Sequence, residues 1–273
     1  MRVFKLATIT ILIIYLFCII FEQIYNKNQA GIKFQLIENS NMINEENKRL
    51  IIYGSSHCDF GLSAETIAKE LKIETLNLCN YGIERKIYEK SLEKKLKKLT
   101  TKNDTVIYVF RIKYDENELE EAGILGLLLP QFRTIIDDFI RLYVKKIKSF
   151  NKFGDRTFYP NFNENFNFPK YFINYDLINN HIKTKIENLL YDEDFKSKLI
   201  IIITPMLVEN KNILDAKKIF FDCKKNCDNF LGLQSPLLIE EKKYFLLPTH
   251  FNGTIGREFW TNTAIKFIQR SIN

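Results

Sequence analysis

The sequence predicts an α/β fold: a parallel sheet, buried on both faces, with helices packed against it. Two observations carry that expectation. The stretches RLIIYGSS, TVIYVFRI and KLIIIITPML each hold an apolar run that lacks the alternation of a half-exposed strand. Segments with a helical apolar period separate them, and a strand–helix–strand order is satisfied by parallel strands joined by right-handed crossovers.

At the start, MRVFKLATITILIIYLFCIIFEQ carries Arg2 and Lys5 and then runs apolar to Phe21. A span needs about 20 apolar residues, so residues 1–22 read as a transmembrane signal anchor. No small-x-small cleavage site follows closely, which argues against removal. The basic residues stay cytoplasmic by the positive-inside rule, which places the rest of the chain on the extracytoplasmic side. Residues 23–48 are polar and Asn-rich and read as a stalk; residues 49–273 read as one α/β domain.

Within that domain, RLIIYGSS is a strand ending at Gly54. SAETIAKELK is helical, with Ser63 as N-cap and Thr66 as a weak box partner. IETLNLCNYG is a second strand ending at Gly82. IERKIYEKSLEKKLKKL is an amphipathic helix, TTKND breaks it, and TVIYVFRI is a third strand. An irregular insertion spans about 115–175. Its first part is helical, interrupted at Gly123, Gly126 and Pro130, and its second part is aromatic and Asn-rich. That second part reads as a sugar-binding groove or, more plainly, as a satellite core under a long loop. INYDLINNHIKTKIENLLYDEDF is a further amphipathic helix that carries His181. KLIIIITPML is a buried strand stopped at Thr204-Pro205. NILDAKKIFFDCKKNC is helical. A short extended piece, a turn around His250, Asn252 and Gly253, and a closing helix complete the chain.

Bulk composition narrows the function classes. At 46% hydrophobic, 273 residues bury a full core. The net charge of +7 resides largely in mixed helical faces such as EKSLEKKLKKL, which read as solvated. No basic stripe interleaves with aromatics, so nucleic acid is not an expected partner. Of five cysteines, Cys18 lies in the anchor and Cys223 and Cys227 form a C-x3-C pair. Cys58 and Cys79 lie beside the motifs below. For the C-x3-C pair a disulfide would close only a trivial loop, so free or casually paired thiols are the expectation there, and no ligand set for zinc appears.

In an open parallel sheet, sites form at the carboxyl ends of strands. YGSSH, NYG and PTHFN fall there. Ser55 and Ser56 are candidate nucleophiles, and a serine needs a base within hydrogen-bond reach, most often histidine. The chain has three histidines, His57, His181 and His250. His250, in the turn before the last helix, is the natural base. His57 adjoins the serines, but successive side chains at a strand end diverge, which makes it a poor base for its neighbour. Backbone N–H groups near Gly82 and the nucleophile are candidates for an oxyanion hole.

On these residues the chain resembles the SGNH (GDSL) hydrolase superfamily. Within it, the chain is most similar to the membrane-anchored branch that includes alginate-type O-acetyltransferases and the D-alanyl-transfer protein of teichoic acid synthesis. Gly54-Ser55-Ser56-His57 with Gly61-Leu62 resembles the first block, Asn77 and Gly82 the second, and IIIITP a strand ending in Thr-Pro. LPTHFNGTIG, with His250, Asn252 and Gly256, resembles the last block. The resemblance implies a three-layer flavodoxin-like sheet with helices on both faces. It implies Ser56 as nucleophile and His250 as base, with Ser55, Asn80, Gly82 and Asn252 serving the oxyanion or substrate. The implied activity is a serine esterase or O-acyltransferase working through an acyl-serine on a cell-envelope polysaccharide. No metal or other cofactor is implied, and a membrane-bound O-acyltransferase is the implied partner.

Two departures stand against that pattern. Leu247 occupies the place of the family's aspartate, three before the histidine, and the third block, VFRIKYD, offers no asparagine of the kind the family has there, only Arg111 nearby. Three readings stay open: a Ser56–His250 dyad, a substitute carboxylate from Asp59, Glu240 or Glu241, and a catalytically impaired glycan-binding or scaffold protein. If GSSH were merely a turn, Ser56 and His250 would lie far apart.

Overall fold

The computed structural model describes residues 33–40, 48–80, 86–111, 150–157, 175–209, 221, 227–247 and 250–273. The expected anchor, the oxyanion-hole candidate Gly82, Cys223 and most of the 115–175 insertion lie outside the described residues. Among the described residues, no helix is long and apolar enough to cross a membrane.

A five-stranded parallel sheet is the centre of the fold. Its strands are β1 (Arg49–Gly54), β2 (Glu74–Asn77), β3 (Thr105–Phe110), β4 (Lys198–Ile203) and β6 (Phe230–Gln234), in the spatial order β2-β1-β3-β4-β6. The helices are residues 33–40 (α1), α2 (Ser56–Gly61), α3 (Ala64–Leu71), α4 (Lys86–Leu99), α5 (Tyr175–Leu190) and α6 (Ile255–Ile272). Two small sheets complete the described part: β5 (Met206–Leu207) with β7 (Leu238–Ile239), and the hairpin of β8 (Phe245–Leu247) with β9 (His250–Phe251).

Period-two alternation divides the apolar strand residues between two cores. Ile51, Tyr53, Val106, Tyr108, Leu199 and Ile201 pack with Phe34 and Ile37 of α1, Leu96 of α4 and Ile182 and Ile186 of α5. Leu50, Ile52, Ile107, Val109, Ile200 and Ile202 pack with Ile67 of α3 and Trp260, Ala264 and Ile268 of α6. Both faces of the central strands are therefore removed from water. Each fully buried aliphatic side chain contributes about 1.5–3 kcal/mol, which explains why these strands read as unbroken apolar runs.

Polar contacts set the amino-terminal edge of the sheet. Arg49, though 1% exposed, donates Nε and a terminal nitrogen to the two carboxylate oxygens of Asp104, each at 2.8 Å. This fork-to-fork pair ties the starts of β1 and β3 together.

Several expectations are corrected. Residues 33–40, read as stalk, are helical, and Phe34 and Ile37 are buried in the core. The strand after α3 ends at Asn77 rather than at Gly82, although Leu78 and Asn80 continue alongside β1, donating to the carbonyls of Ile52 and Gly54 at 2.8 and 3.0 Å. The fifth strand, β6, escaped the apolar-run criterion. It lies at the sheet edge, is half-buried along its length, and holds Gly232 at a bulge against β4. Ser63 caps α3 as expected, accepting from the Thr66 amide.

Candidate active site

The carboxyl end of β1 lies where the strand order reverses, with β2 on one side and β3 on the other. Ligands of open parallel sheets bind at such switch points. Gly54 pairs with Val109 there. A Cβ on Gly54 would sit 2.6 Å from the Val109 carbonyl oxygen and 2.9 Å from the Cys58 sulfur, so only glycine lets α2 fold back this closely. Ser55 remains extended as the N-cap, and its carbonyl accepts the amides of Cys58 and Asp59, both at 3.2 Å. Ser56 therefore stands at the first position of a short helix immediately after the strand. The strand thus passes directly into a six-residue helix.

His250 arrives from the far end of the chain. The β8–β9 hairpin holds it, and its neighbour Phe251 stacks between Phe245 and Trp260, with ring centres 4.7 and 5.3 Å away. Trp260 in turn lies against Gly61, where a Cβ would come within 2.3 Å of the indole. This packing seats α2 on β9 and α6. As a result Ser56 Oγ and His250 Nε2 meet at 2.9 Å, across 194 positions of sequence. Ser56 is 8% exposed and His250 is half-buried.

A second serine–histidine pair lies beside the first. Ser55 Oγ is 3.1 Å from His57 Nδ1, and the His57 ring stacks on His250 with centres 4.1 Å apart and planes 27° apart. Phe60 meets His250 edge-on at 5.9 Å. Burial, and then the Arg111 charge, push the His250 imidazole down to about 3. Burial, and then the charges of His250 and Arg111, push His57 well below the ordinary imidazole range. Both rings are neutral at physiological pH. Arg111 directly follows β3 and acts on both imidazoles, so it is electrostatically part of this site.

The remaining predicted residues fall as follows. Asn80 is buried at the carboxyl end of β1, its amide bonded to Gly54. Asn252 lies in the turn after His250. Its Oδ1 accepts the amides of Gly256 at 2.8 Å and Thr254 at 3.3 Å, and its Nδ2 donates to the Lys243 carbonyl at 2.5 Å. In this arrangement Asn252 shapes the turn that presents His250. Asn77 donates to Asp155 at 3.1 Å and to the Leu62 carbonyl at 3.3 Å, which joins β2 to the loop after α2. Gly82 lies outside the described residues.

Asp59 does not face the base. Lys33 Nζ donates to its Oδ1 at 2.5 Å, and the Arg156 guanidinium donates Nε and a terminal nitrogen to its Oδ2 at 2.9 and 2.7 Å. Burial pushes the Asp59 carboxyl up, but the Arg156 and Lys33 charges outweigh burial and hold it below the ordinary carboxylate range. Glu240 and Glu241 are exposed.

Three residues and one covalent bond that support the site were not read from the sequence. Lys33 came from the supposed stalk and carried no signal. Asp155 and Arg156 came from the insertion, where Asn151 and Gly154 build a tight turn: Asn151 Oδ1 accepts the amides of Phe153 and Asp155, and Gly154 takes φ +78°. The Asn-x-x-Gly-Asp string was the available clue. Asp155 accepts the amides of Ala64 and Glu65 at 2.8 and 2.9 Å at the start of α3, and pairs with Arg257 at 3.0 Å. The last support is covalent. Cys58 and Cys79, whose pairing no sequence pattern announced, form a disulfide that ties α2 to the segment after β2.

Among the described residues, no group of three histidine, cysteine or acidic side chains is placed to hold a metal ion. Comparison of the chain with protein-family models, curated proteins and solved structures finds no match.

Proposed function

We propose that this chain is a membrane-anchored serine esterase or O-acyltransferase of the SGNH type, acting on a cell-envelope polysaccharide. One observation carries the reading: the 2.9 Å approach of Ser56 Oγ to His250 Nε2 at the carboxyl edge of a parallel sheet. A neutral imidazole within hydrogen-bond reach of a serine hydroxyl is the minimum apparatus of acyl transfer. The strand order β2-β1-β3-β4 supports the flavodoxin-like arrangement that the resemblance implies.

In the proposed reaction, Ser56 Oγ attacks the carbonyl carbon of an acyl donor as its proton passes to His250 Nε2. The tetrahedral oxyanion is stabilised by backbone N–H groups near the nucleophile. Its collapse breaks the bond to the leaving oxygen, which takes the proton from His250 and leaves an acyl ester on Ser56. A sugar hydroxyl or water then attacks that ester, giving its proton to His250, and Ser56 Oγ recovers it on departure. The acyl donor on the membrane side would be a membrane-bound O-acyltransferase. The Cys58–Cys79 disulfide supports an oxidising, extracytoplasmic compartment, in keeping with the anchor orientation.

A second reading has its own support. Leu247 stands in place of an orienting aspartate, and Arg111 opposes the imidazolium that turnover requires. These favour a catalytically impaired glycan-binding or scaffold protein. Cleavage of p-nitrophenyl acetate by the wild type, compared with Ser56→Ala and His250→Ala, separates the two. Activity lost in both variants supports the enzyme; no activity in any of the three, with glycan binding retained, supports the scaffold.

A further inference from the structure

We infer that His57 is a positioning residue for His250, the stacking wall that holds the base in line with the nucleophile. The inference rests on the acyl-transfer reading of Ser56 and His250 given above. Its geometric basis is independent of that reading. His250 sits on a two-residue strand of a hairpin, and nothing in such a strand alone restricts rotation of the ring about its Cβ–Cγ bond.

Two other rings enclose it. His57 covers one face at 4.1 Å, nearly parallel, and Phe60 meets the ring at 5.9 Å, nearly perpendicular. Turning the His250 ring out of its plane drives it into His57, and that turn would also swing Nε2 away from Ser56 Oγ. His57 is itself buried, at 3% exposure, and its Nδ1 lies 3.1 Å from Ser55 Oγ.

The arrangement assigns a purpose to the whole run Ser55-Ser56-His57. Ser56 is the nucleophile. His57, the next residue, supplies the surface on which the base lies, and Ser55, the preceding residue, holds that surface at its nitrogen. One short turn thus sets both the nucleophile and the orientation of a base delivered from residue 250. His57 cannot act as base for Ser56 in this geometry, because its Nδ1 is directed at Ser55 and its face at His250. Among the described residues, the charged and titratable groups acting on this pair include His250 on His57 and Arg111 on both.

The test is the rate of fluorophosphonate labelling at Ser56, measured on the full-length chain in detergent between pH 5 and 8, with thermal melting recorded in parallel. His57→Ala removes the wall. Misplacing a reacting group by about 1 Å costs on the order of 100-fold, and a fall of about that size is expected. The profile, flat above pH 5 in the wild type, should also bend down toward pH 5, because water reaches His250 once the covering ring is gone. His57→Phe keeps a flat ring without ring nitrogens. It should label within roughly threefold of wild type and keep the wild-type profile, far closer to it than the 100-fold loss that displacement brings.

If His57→Ala does not fold, His57→Asn takes its place. Asparagine retains a polar contact for Ser55 but offers no ring, and it should label far more slowly than His57→Phe. Equal labelling by wild type and His57→Ala, or by the Phe and Asn variants, with unchanged pH profiles, overturns the inference and leaves Ser56 and His250 standing. No labelling of the wild type at Ser56 removes the acyl-transfer reading itself, and this inference with it.

Discussion

Lowering the pH from 7 to 5 should leave the reactivity of Ser56 almost unchanged. An ordinary histidine titrates near 6.5, so its neutral fraction falls from about 76% at pH 7 to about 3% at pH 5, and a reaction that needs the free base slows about 25-fold. Burial and the Arg111 charge place His250 at about 3. At that value the neutral fraction stays at about 99% at pH 5, and the expected slowing is negligible. The same shift makes a second, opposite-looking demand on stability. The folded state keeps His250 unprotonated where the unfolded chain binds a proton, so folding stability is full above about 6.5 and declines as the pH falls toward 3. The assay is the second-order rate of fluorophosphonate labelling at Ser56 at half-unit steps, with a thermal melt at each pH. A flat rate above pH 5 with a falling melting temperature is expected. A sigmoidal loss of labelling centred between pH 6 and 7, in a protein that is still folded, would refute the enclosed neutral imidazole.

Two further outcomes follow from the supports of the site. Asp59→Asn leaves Lys33 and Arg156 buried without their shared anion and should destabilise the fold by about 3–5 kcal/mol, read as a lowered urea midpoint; an unchanged midpoint would mean the three groups do not form the buried network. Removing the Cys58–Cys79 bridge, 21 positions apart, by Cys58→Ala with Cys79→Ala should cost about 3 kcal/mol through release of the unfolded chain. Reductant should then lower the melting temperature of the wild type and not that of the double variant; equal responses would show that the two sulfurs are not joined.

Much of this architecture was legible in one dimension because its causes are local. Continuous apolar runs marked β1, β3 and β4, since strands covered on both faces have no solvent side to record. Ser63 announced the start of α3 through capping chemistry that spans three residues. Ser56 and His250 were readable as a pair from the logic of strand ends and the scarcity of histidines. What the string did not carry was mostly long-range. The edge strand β6 hides because one covered face and a bulge dilute its pattern. Lys33, Asp155 and Arg156 acquire their roles only where distant segments close around Asp59 and Asn77. The partnership of Cys58 with Cys79 depends on how α2 folds back onto the run after β2.

The residue types at the sheet rim, and the β-α-β order that puts them there, belong to the sequence alone. Whether an imidazole touches a serine, which carboxylate is already occupied, and which ring covers which were decided by tertiary packing. Those outcomes depend on distances between segments nearly 200 residues apart, and no local pattern encodes such a distance. Trp260 pressing on Gly61, with Phe251 stacked beneath it, is what brings His250 to Ser56.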